Sequence, residues 1–343
     1  MGEVKNLLVT TAGGSGVYPT IECVKNSKYK INLILADASE LAPALYEGFK
    51  SYKMPLVSED EYMCVLEEII KREKIEYIMT PLDEELNFLA DKNLKVKHLI
   101  PKKEALLDCW DKRRTFNKLK DLMPKGYILN RELNLKEVFD ELFPLLLKPA
   151  LSRGGRGIVI PEDFEEFEFY AKRFLKKDIP YLAQKLIKGK EYNITTLHDK
   201  KGNLIYAIPR WKFEKRVIKS GSKASVIVEN KRVVDFALNV LKRLDLEYGF
   251  NNVEIIENED GVFLLEVNAG RIAAQDMNIV KAGVNYVDLF IDIVNDKVIT
   301  PPNYRLGVCN LKSLRDIWVD FSEIEEKEKI YEEIFNSCRT SRR

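Results

Sequence analysis

Histidine is almost missing from this chain, since His98 and His198 are the only two in 343 residues. With so little imidazole, a serine–histidine relay or a histidine-built zinc centre is not expected. Cysteine is sparse as well. Cys23, Cys64, Cys109, Cys309 and Cys338 are scattered with no C-x-x-C spacing, which argues against a zinc knuckle and gives no disulfide framework, so reduced thiols in a cytoplasmic protein are expected. No N-terminal apolar region has the form of a signal peptide, and no run approaches the ~20 apolar residues needed to span a bilayer. Neither sign of charge is in excess: 55 Lys and Arg against 54 Asp and Glu leave a net charge of +1. Without a global field, or a basic stripe with interleaved aromatics, neither nucleic acid nor membrane is an expected partner. The chain is long for one core, and with 45% hydrophobic residues it can fill two or three subdomains.

The segment richest in chemistry is NNVEIIENEDGVFLLEVNAGR, in the C-terminal third. VEII and VFLLEV read as strands joined through Asn258, Glu259, Asp260 and Gly261, where Asp-Gly supplies the turn. Side chains alternate along a strand, so Glu266 and Asn268 share a face and Glu254 meets them from the partner strand. Two carboxylates and an amide oxygen suit a hard cation that bridges phosphates, Mg²⁺ or Mn²⁺; a solvated acidic hairpin is the plain alternative. A second segment, LLLKPALSRGGRGIVI, delivers Lys148 from an apolar run into a loop with Ser152, Gly154, Gly155 and Gly157. Backbone N–H groups in such a loop can converge on phosphate oxygens, with Arg153 and Arg156 adding positive charge. No Gly-Lys-Ser/Thr follows the glycines, and GIVI reads as a further strand rather than a helix, so this is not a Walker loop. A glycine-rich turn with no ligand stays open beside that reading.

Nearer the start, KNLLVTTAGGSGVYPTIECVK gives a strand, a turn at Gly13, Gly14 and Gly16, and a helix that carries Pro19 in its first turn; INLILAD is a second strand ending at Asp37. The spacing imitates a dinucleotide fingerprint, although many tightly packed strand–helix units share it without binding a nucleotide. The strand IEYIMT ends where Asp83 and Glu84 begin, at the edge where open α/β sheets place their ligands, so these acids are candidates to grip a substrate ammonium group. Helix capping by Asp83 is the competing reading.

Taken in order, the chain presents Lys112, Lys148 with the glycine loop, Gln184 to Leu186 with Glu191, and then Glu254, Glu266 and Asn268. This succession resembles the ATP-grasp ligases, in particular the synthetase halves of the carbamoyl phosphate synthase large subunit and the amino-acid ligase of pyrrolysine synthesis. The resemblance runs from roughly residue 5 to residue 297 and implies a mixed α/β fold: a Rossmann-like pre-ATP-grasp domain (1–103), a lid with linking helices (104–183), a catalytic subdomain (184–299) and a C-terminal tail (300–343) whose EIEEKEKIYEEIF reads as a surface helix. It implies that Lys112 and Lys148 reach the ATP phosphates, that Lys185 and Leu186 receive adenine through backbone groups with Gln184 close by, and that Glu191 accepts the ribose hydroxyls. Glu254, Glu266 and Asn268 would hold the metal. Relatives carry Asn-Pro-Arg where this chain has Asn268, Ala269, Gly270 and Arg271, so the arginine is displaced by one residue. In IPRWKFEKRVIKSGSKASV, the resemblance singles out Arg210 and Arg216, with Lys212, Lys215 and Lys219 as neighbours, for a carboxylate or an acyl phosphate.

The implied reaction is ATP-dependent carboxylate–amine ligation through an acyl phosphate, releasing ADP and phosphate, with small-molecule substrates and, as in related enzymes, a homodimer. Phosphorylation of bicarbonate or carbamate, a non-catalytic ATP-binding module, and an oxidoreductase resting on the N-terminal glycines alone are the rival readings.

Overall fold

The structure, a computed structural model, describes residues 3–14, 16–152, 154–215, 222–273, 276–311 and 316–340. The first of its three sheets is parallel. β1 (Lys5–Val9), α1 (Val17–Lys25), β2 (Ile31–Asp37), β3 (Lys50–Lys53), α2 (Tyr62–Arg72), β4 (Tyr77–Met79) and α3 (Asp83–Leu89) form a layer with strand order β3-β2-β1-β4. Parallel strands are covered on both faces, which is why Leu33 to Ala36 in β2 are all buried. One face packs on α2 through Val65, Leu66 and Ile69, the other on α1 through Val17 and Ile21.

α4 (Lys103–Trp110) and α5 (Lys112–Leu119) then lead into β5 (Gly126–Ile128), α6 (Leu135–Leu142), β6 (Leu145–Pro149), α7 (Phe164–Lys176) and β7 (Tyr181–Lys185), where the strands make an antiparallel sheet of order β5-β7-β6. GIVI is not the strand expected from its sequence. Val159 makes a single bridge to Leu147, while Ile158 and Ile160 stay exposed and Pro161 follows, so neither side is buried enough to extend the pairing.

The largest sheet is formed by β8 (Lys190–His198), β9 (Leu204–Lys215), β10 (Ser222–Ile227), β11 (Gly249–Glu257), β12 (Val262–Ala269) and β13 (Cys309–Leu311), with α8 (Lys231–Arg243), α9 (Met277–Lys281) and α10 (Tyr286–Val294) packed around it. Its order is β12-β11-β8-β9-β10-β13. Tyr192, Ile194, Val253 and Ile255 turn one face onto Val233, Ala237, Val240 and Leu241 of α8. Alternation then leaves Asn193, Thr195, Asn252 and Glu254 for the opposite face.

The expected tail beyond residue 300 is tied into the fold, because Cys309 pairs with Val226 to add β13 to the main sheet. α11 (Phe321–Thr340) docks on the parallel domain, burying Ile334 and Cys338 in the core formed with α2. Lys53 Nζ lies 2.7 Å from Glu328 Oε2 in the same contact. Cys64 and Cys338 form a disulfide across 274 residues, with Cα atoms 5.8 Å apart, against the expectation of reduced thiols throughout. A pairing between two helices at opposite ends of the chain leaves no trace in local spacing.

Candidate active site

The acids expected on the β11–β12 hairpin meet there. Glu254 stands opposite Glu266, and Asn252 opposite Asn268. The row continues across the sheet, since Glu254 aligns with Asn193 on β8 and Asn193 with Arg210 on β9. Directly opposite residues on antiparallel strands share a face, so this register sets carboxylates, amide and guanidinium side by side. The register slips by one residue after Glu254, leaving Leu265 as a bulge. A bulge leaves its extra residue out of the ladder, and here the Leu265 carbonyl accepts from Lys148 Nζ at 3.4 Å.

Lysines meet the acids from above. Lys148 is the last residue but one of β6 and is 8% exposed. Lys112 opens α5, where Asp111 caps the helix by accepting from the Arg113 N–H; Lys112 Nζ donates to Ser152 O at 2.7 Å and lies 3.9 Å from Glu266 Oε2. Burial pushes the Lys148 ammonium down to about 8, against the attraction of Glu266 and aided by the charge of Lys112. Burial likewise lifts Glu266 above the usual carboxylate range, opposed by Lys112 and reinforced by Glu254. For Glu254, burial acts upward too, but Lys212 Nζ at 2.7 Å from Oε2 holds the group below its ordinary value. These opposite directions suit two carboxylates at different distances from cations.

The hairpin offers oxygen donors of the kind a hard divalent ion takes, and Glu266 and Glu254 keep 31% and 32% of their side chains open. Among the described residues no group of three or more His, Cys, Asp or Glu side chains converges, so a metal here would complete its oxygen set from phosphate and water. Asn268 Oδ1 accepts from Arg271 Nη2. Arg271 also donates from Nε to Asp83 Oδ1 at 2.8 Å. The one-residue displacement therefore does not remove the arginine from the site. With Leu82 at the cap position, Asp83 lies in the first turn of α3, where its Oδ1 is held by Arg271 and its side chain lines a cleft.

Arg210 is fully buried, with Nη2 2.7 Å from Asn193 Oδ1 and 2.9 Å from Asp276 Oδ1. Its Nε and Nη1 have no partner among the described residues. Arg216 lies outside the described residues, as does Arg153. Ser152 reaches the site through its carbonyl, and Gly154, Gly155 and Gly157 have φ of +66°, +67° and +77°. A Cβ on Gly157 would come 2.8 Å from Pro149 Cγ, so that position needs glycine for space as well as for φ.

Farther along the cleft, Gln184 is buried and donates from Nε2 to Pro124 O at 3.2 Å. The Lys185 N–H donates to Lys125 O and the Leu186 N–H to Pro144 O. Both amides are thus taken up by the protein, which leaves carbonyls as what these two residues can offer a base. Half-buried Glu191 sits in register with Lys212 and Ile256, on the face of the sheet that carries Glu254 and Glu266.

A cleft of about 820 Å³ opens at the carboxyl edge of the parallel sheet, lined by Gly13, Asp37, Glu84, Glu85, Arg156 and Arg271 among others. Asp37 is not available to a ribose. Its Oδ2 accepts from the Gly13 N–H at 2.6 Å and its Oδ1 from the Ser39 N–H at 2.9 Å, so the dinucleotide-like spacing closes on itself. Sequence reasoning passed over Asn193, Thr195, Asp276 and Glu85 and set Lys212 aside. Polar residues at 191, 193 and 195 between Tyr192 and Ile194 were the available signal, because alternation inside a buried strand marks a polar inner face.

Residues 7–100 match the PylC-like N-terminal domain and residues 109–275 the ATP-grasp domain. The carbamoyl phosphate synthase large chain of Clostridium botulinum (strain Kyoto / Type A2) is 26% identical over 335 residues, covering 89% of this chain. The chain spans only 30% of the length of that relative. N5-carboxyaminoimidazole synthetase from Staphylococcus aureus, complexed with ADP, superposes with a TM-score of 0.68 at 14% identity, over 88% of this chain and 80% of that one. L-amino acid ligase from Bacillus licheniformis gives 0.64 at 17% identity, over 86% and 75%. Likeness at these identities speaks for the fold, and among the described residues no helix is long and apolar enough to cross a membrane. By these matches the chain carries an ATP-grasp domain over residues 109–275, behind a PylC-like N-terminal domain over residues 7–100.

Proposed function

We propose that this protein is an ATP-dependent carboxylate–amine ligase, which phosphorylates a carboxylate and lets an amine displace phosphate from the acyl phosphate. The observation that carries the reading is the row Glu266–Glu254–Asn193–Arg210, overhung by Lys112 and Lys148 and joined through Arg271 to a second, acid-lined cleft. Such an arrangement serves a nucleotide triphosphate in one space and, in the other, an acceptor whose carboxylate meets Arg271 and whose amine faces the acids.

Lys112 and Lys148 bind the triphosphate and offset charge as it spreads over the transferring group. Glu254, Glu266 and Asn268 hold Mg²⁺, with Mn²⁺ as a substitute of the same ligand preference. That ion, when bound, neutralises phosphate oxygens. Gln184, the carbonyls of Lys185 and Leu186, and Glu191 form the nucleoside side. The Ser152–Gly157 loop closes over the phosphates and excludes water from the acyl phosphate. Arg271 bridges the two spaces, and buried Arg210 orients Asn193 beneath the acids. Glu84 lines the acceptor side, and no protein nucleophile is needed.

The test is phosphate release from ATP with amino acids and small carboxylates offered singly and in pairs, followed by mass measurement of the product. Product mass equal to acid plus amine less water is the expected result. Release that needs bicarbonate and ammonia instead would establish the carbamoyl-phosphate type of reaction, and binding without stimulated release would reduce the protein to a nucleotide-binding module.

A further inference from the structure

Glu85 is a carboxylate that none of these roles uses. The third residue of α3, it is 2% exposed. It accepts from Thr10 Oγ1 at 2.7 Å, Thr11 Oγ1 at 2.9 Å, Thr80 Oγ1 and the Tyr62 hydroxyl. Three of these donors meet at Oε2 and one at Oε1. They arrive from three directions: Thr10 and Thr11 follow β1, Thr80 follows β4, and Tyr62 opens α2. Four neutral hydroxyls thus surround this group, where a buried acid is more often met by Lys or Arg.

What this arrangement fixes is α3. The helix has seven residues and no side-chain cap at its N-terminus, so its rotation is set by the residues it buries: Leu86 and Leu89 by apolar packing, and Glu85 by directional hydrogen bonds. Residues two apart on a helix do not face each other. Glu85 points into the sheet edge, while Asp83 points at Arg271 and Arg271 reaches Asn268 on the metal hairpin. A continuous path of contacts thus runs from four hydroxyls in the PylC-like domain to an oxygen ligand in the ATP-grasp domain.

We propose that Glu85 is a positioning residue for the transfer site: its hydroxyl cage sets the rotation of α3, and through Asp83 it holds Arg271 between the acceptor cleft and the metal hairpin. The kinetic part rests on the ligase reading, but the geometric part does not.

The experiment compares Glu85→Gln and Tyr62→Phe with the intact protein. It uses the NMR signal of the Arg271 Nε–H, identified by its loss in Arg271→Lys, together with the thermal midpoint and separate steady-state constants for ATP and acceptor. In Glu85→Gln the Arg271 signal broadens through faster solvent exchange, kcat/KM for the acceptor falls by about tenfold, and KM for ATP stays within about twofold. Tyr62→Phe, which leaves three donors, shows the same changes at smaller size and carries the test if Glu85→Gln does not fold. Adding Glu85→Gln to Asp83→Asn costs no further acceptor kcat/KM, as expected for residues on one path. An unchanged Arg271 signal in either folded variant overturns the proposal, and so does additivity with Asp83→Asn. If the intact protein shows no acceptor-stimulated phosphate release, the ligase reading fails while the Arg271 signal still decides the positioning.

Discussion

Glu254 and Glu266 on the main sheet are faced by lysines, Lys212 at 2.7 Å and Lys112 at 3.9 Å, whereas Glu85 at the edge of the parallel sheet is faced by four hydroxyls. The first two keep about a third of their side chains open; Glu85 keeps almost none. A lysine is a long, flexible point charge that can turn toward an incoming phosphate and release its carboxylate to a cation. Short hydroxyls on fixed backbone have no such alternative. Acids balanced by cations are therefore suited to exchange partners during a reaction, and an acid balanced by hydroxyls is suited to hold shape.

The sharpest way to break this comparison is Glu266→Gln. Turnover, read as ADP release, should fall on the order of a thousandfold, while the thermal midpoint holds or rises, because the substitution removes a carboxylate that burial already disfavours. Near-normal turnover would remove Glu266 from the metal set. Lys148→Ala comes next, with an expected loss of about a hundredfold in kcat/KM for ATP; an unchanged value would take Lys148 out of the phosphate site.

Lys148 also predicts a pH dependence. Its charge is present below about 8 in the nucleotide-free protein, so ATP affinity should be level at lower pH and weaken as pH rises through that value, later if bound phosphate lifts the group. Lys148→Arg should flatten the profile, since guanidinium does not titrate there. Stability runs the other way. The folded value lies below the ordinary 10.5, so between about 8 and 10.5 the unfolded chain binds more protons, and this residue makes the nucleotide-free protein more stable as pH increases. Denaturant titrations of the intact protein and Lys148→Met across that window test the sign.

A smaller effect is expected at Gly157→Ala, where the added methyl meets Pro149 at a backbone φ of +77°. Loop closure should suffer, giving roughly a tenfold loss in turnover with ATP binding reduced less. Cys64→Ser should act least on chemistry: it removes the covalent tie between α11 and α2 and costs about 2–4 kcal/mol of stability, with turnover at 25 °C within about twofold of the intact protein. A large loss of turnover there would mean that α11 reaches the cleft through Tyr62.

Much of the fold was legible because its signals are local. INLILAD and the VEII/VFLLEV hairpin announce themselves through an apolar run and an Asp-Gly turn, and the structure has β2 and the β11–β12 pair there. The pairing of Glu254 with Glu266 was readable for the same reason, since alternation and one turn fix a hairpin register. GIVI misled because an apolar tetrapeptide is strand-like whether or not a neighbouring strand remains to pair with it. The partner of Asp83 was not legible, because a first-turn acid looks alike whether it faces solvent, a ligand or an arginine 188 residues away. Cys64 and Cys338 carry no spacing that relates them.

The sequence by itself determined strands such as β1 and β2, the hairpin that sets two acids side by side, and the glycine positions whose backbone only glycine adopts readily, because each depends on residues close together in the chain. Only the tertiary structure decided which cation meets which acid, that Glu85 is caged by hydroxyls from β1, β4 and α2, and that α11 belongs to the first domain's core. Those outcomes depend on distances between segments tens to hundreds of residues apart, and such distances are set by how whole layers pack rather than by any local pattern.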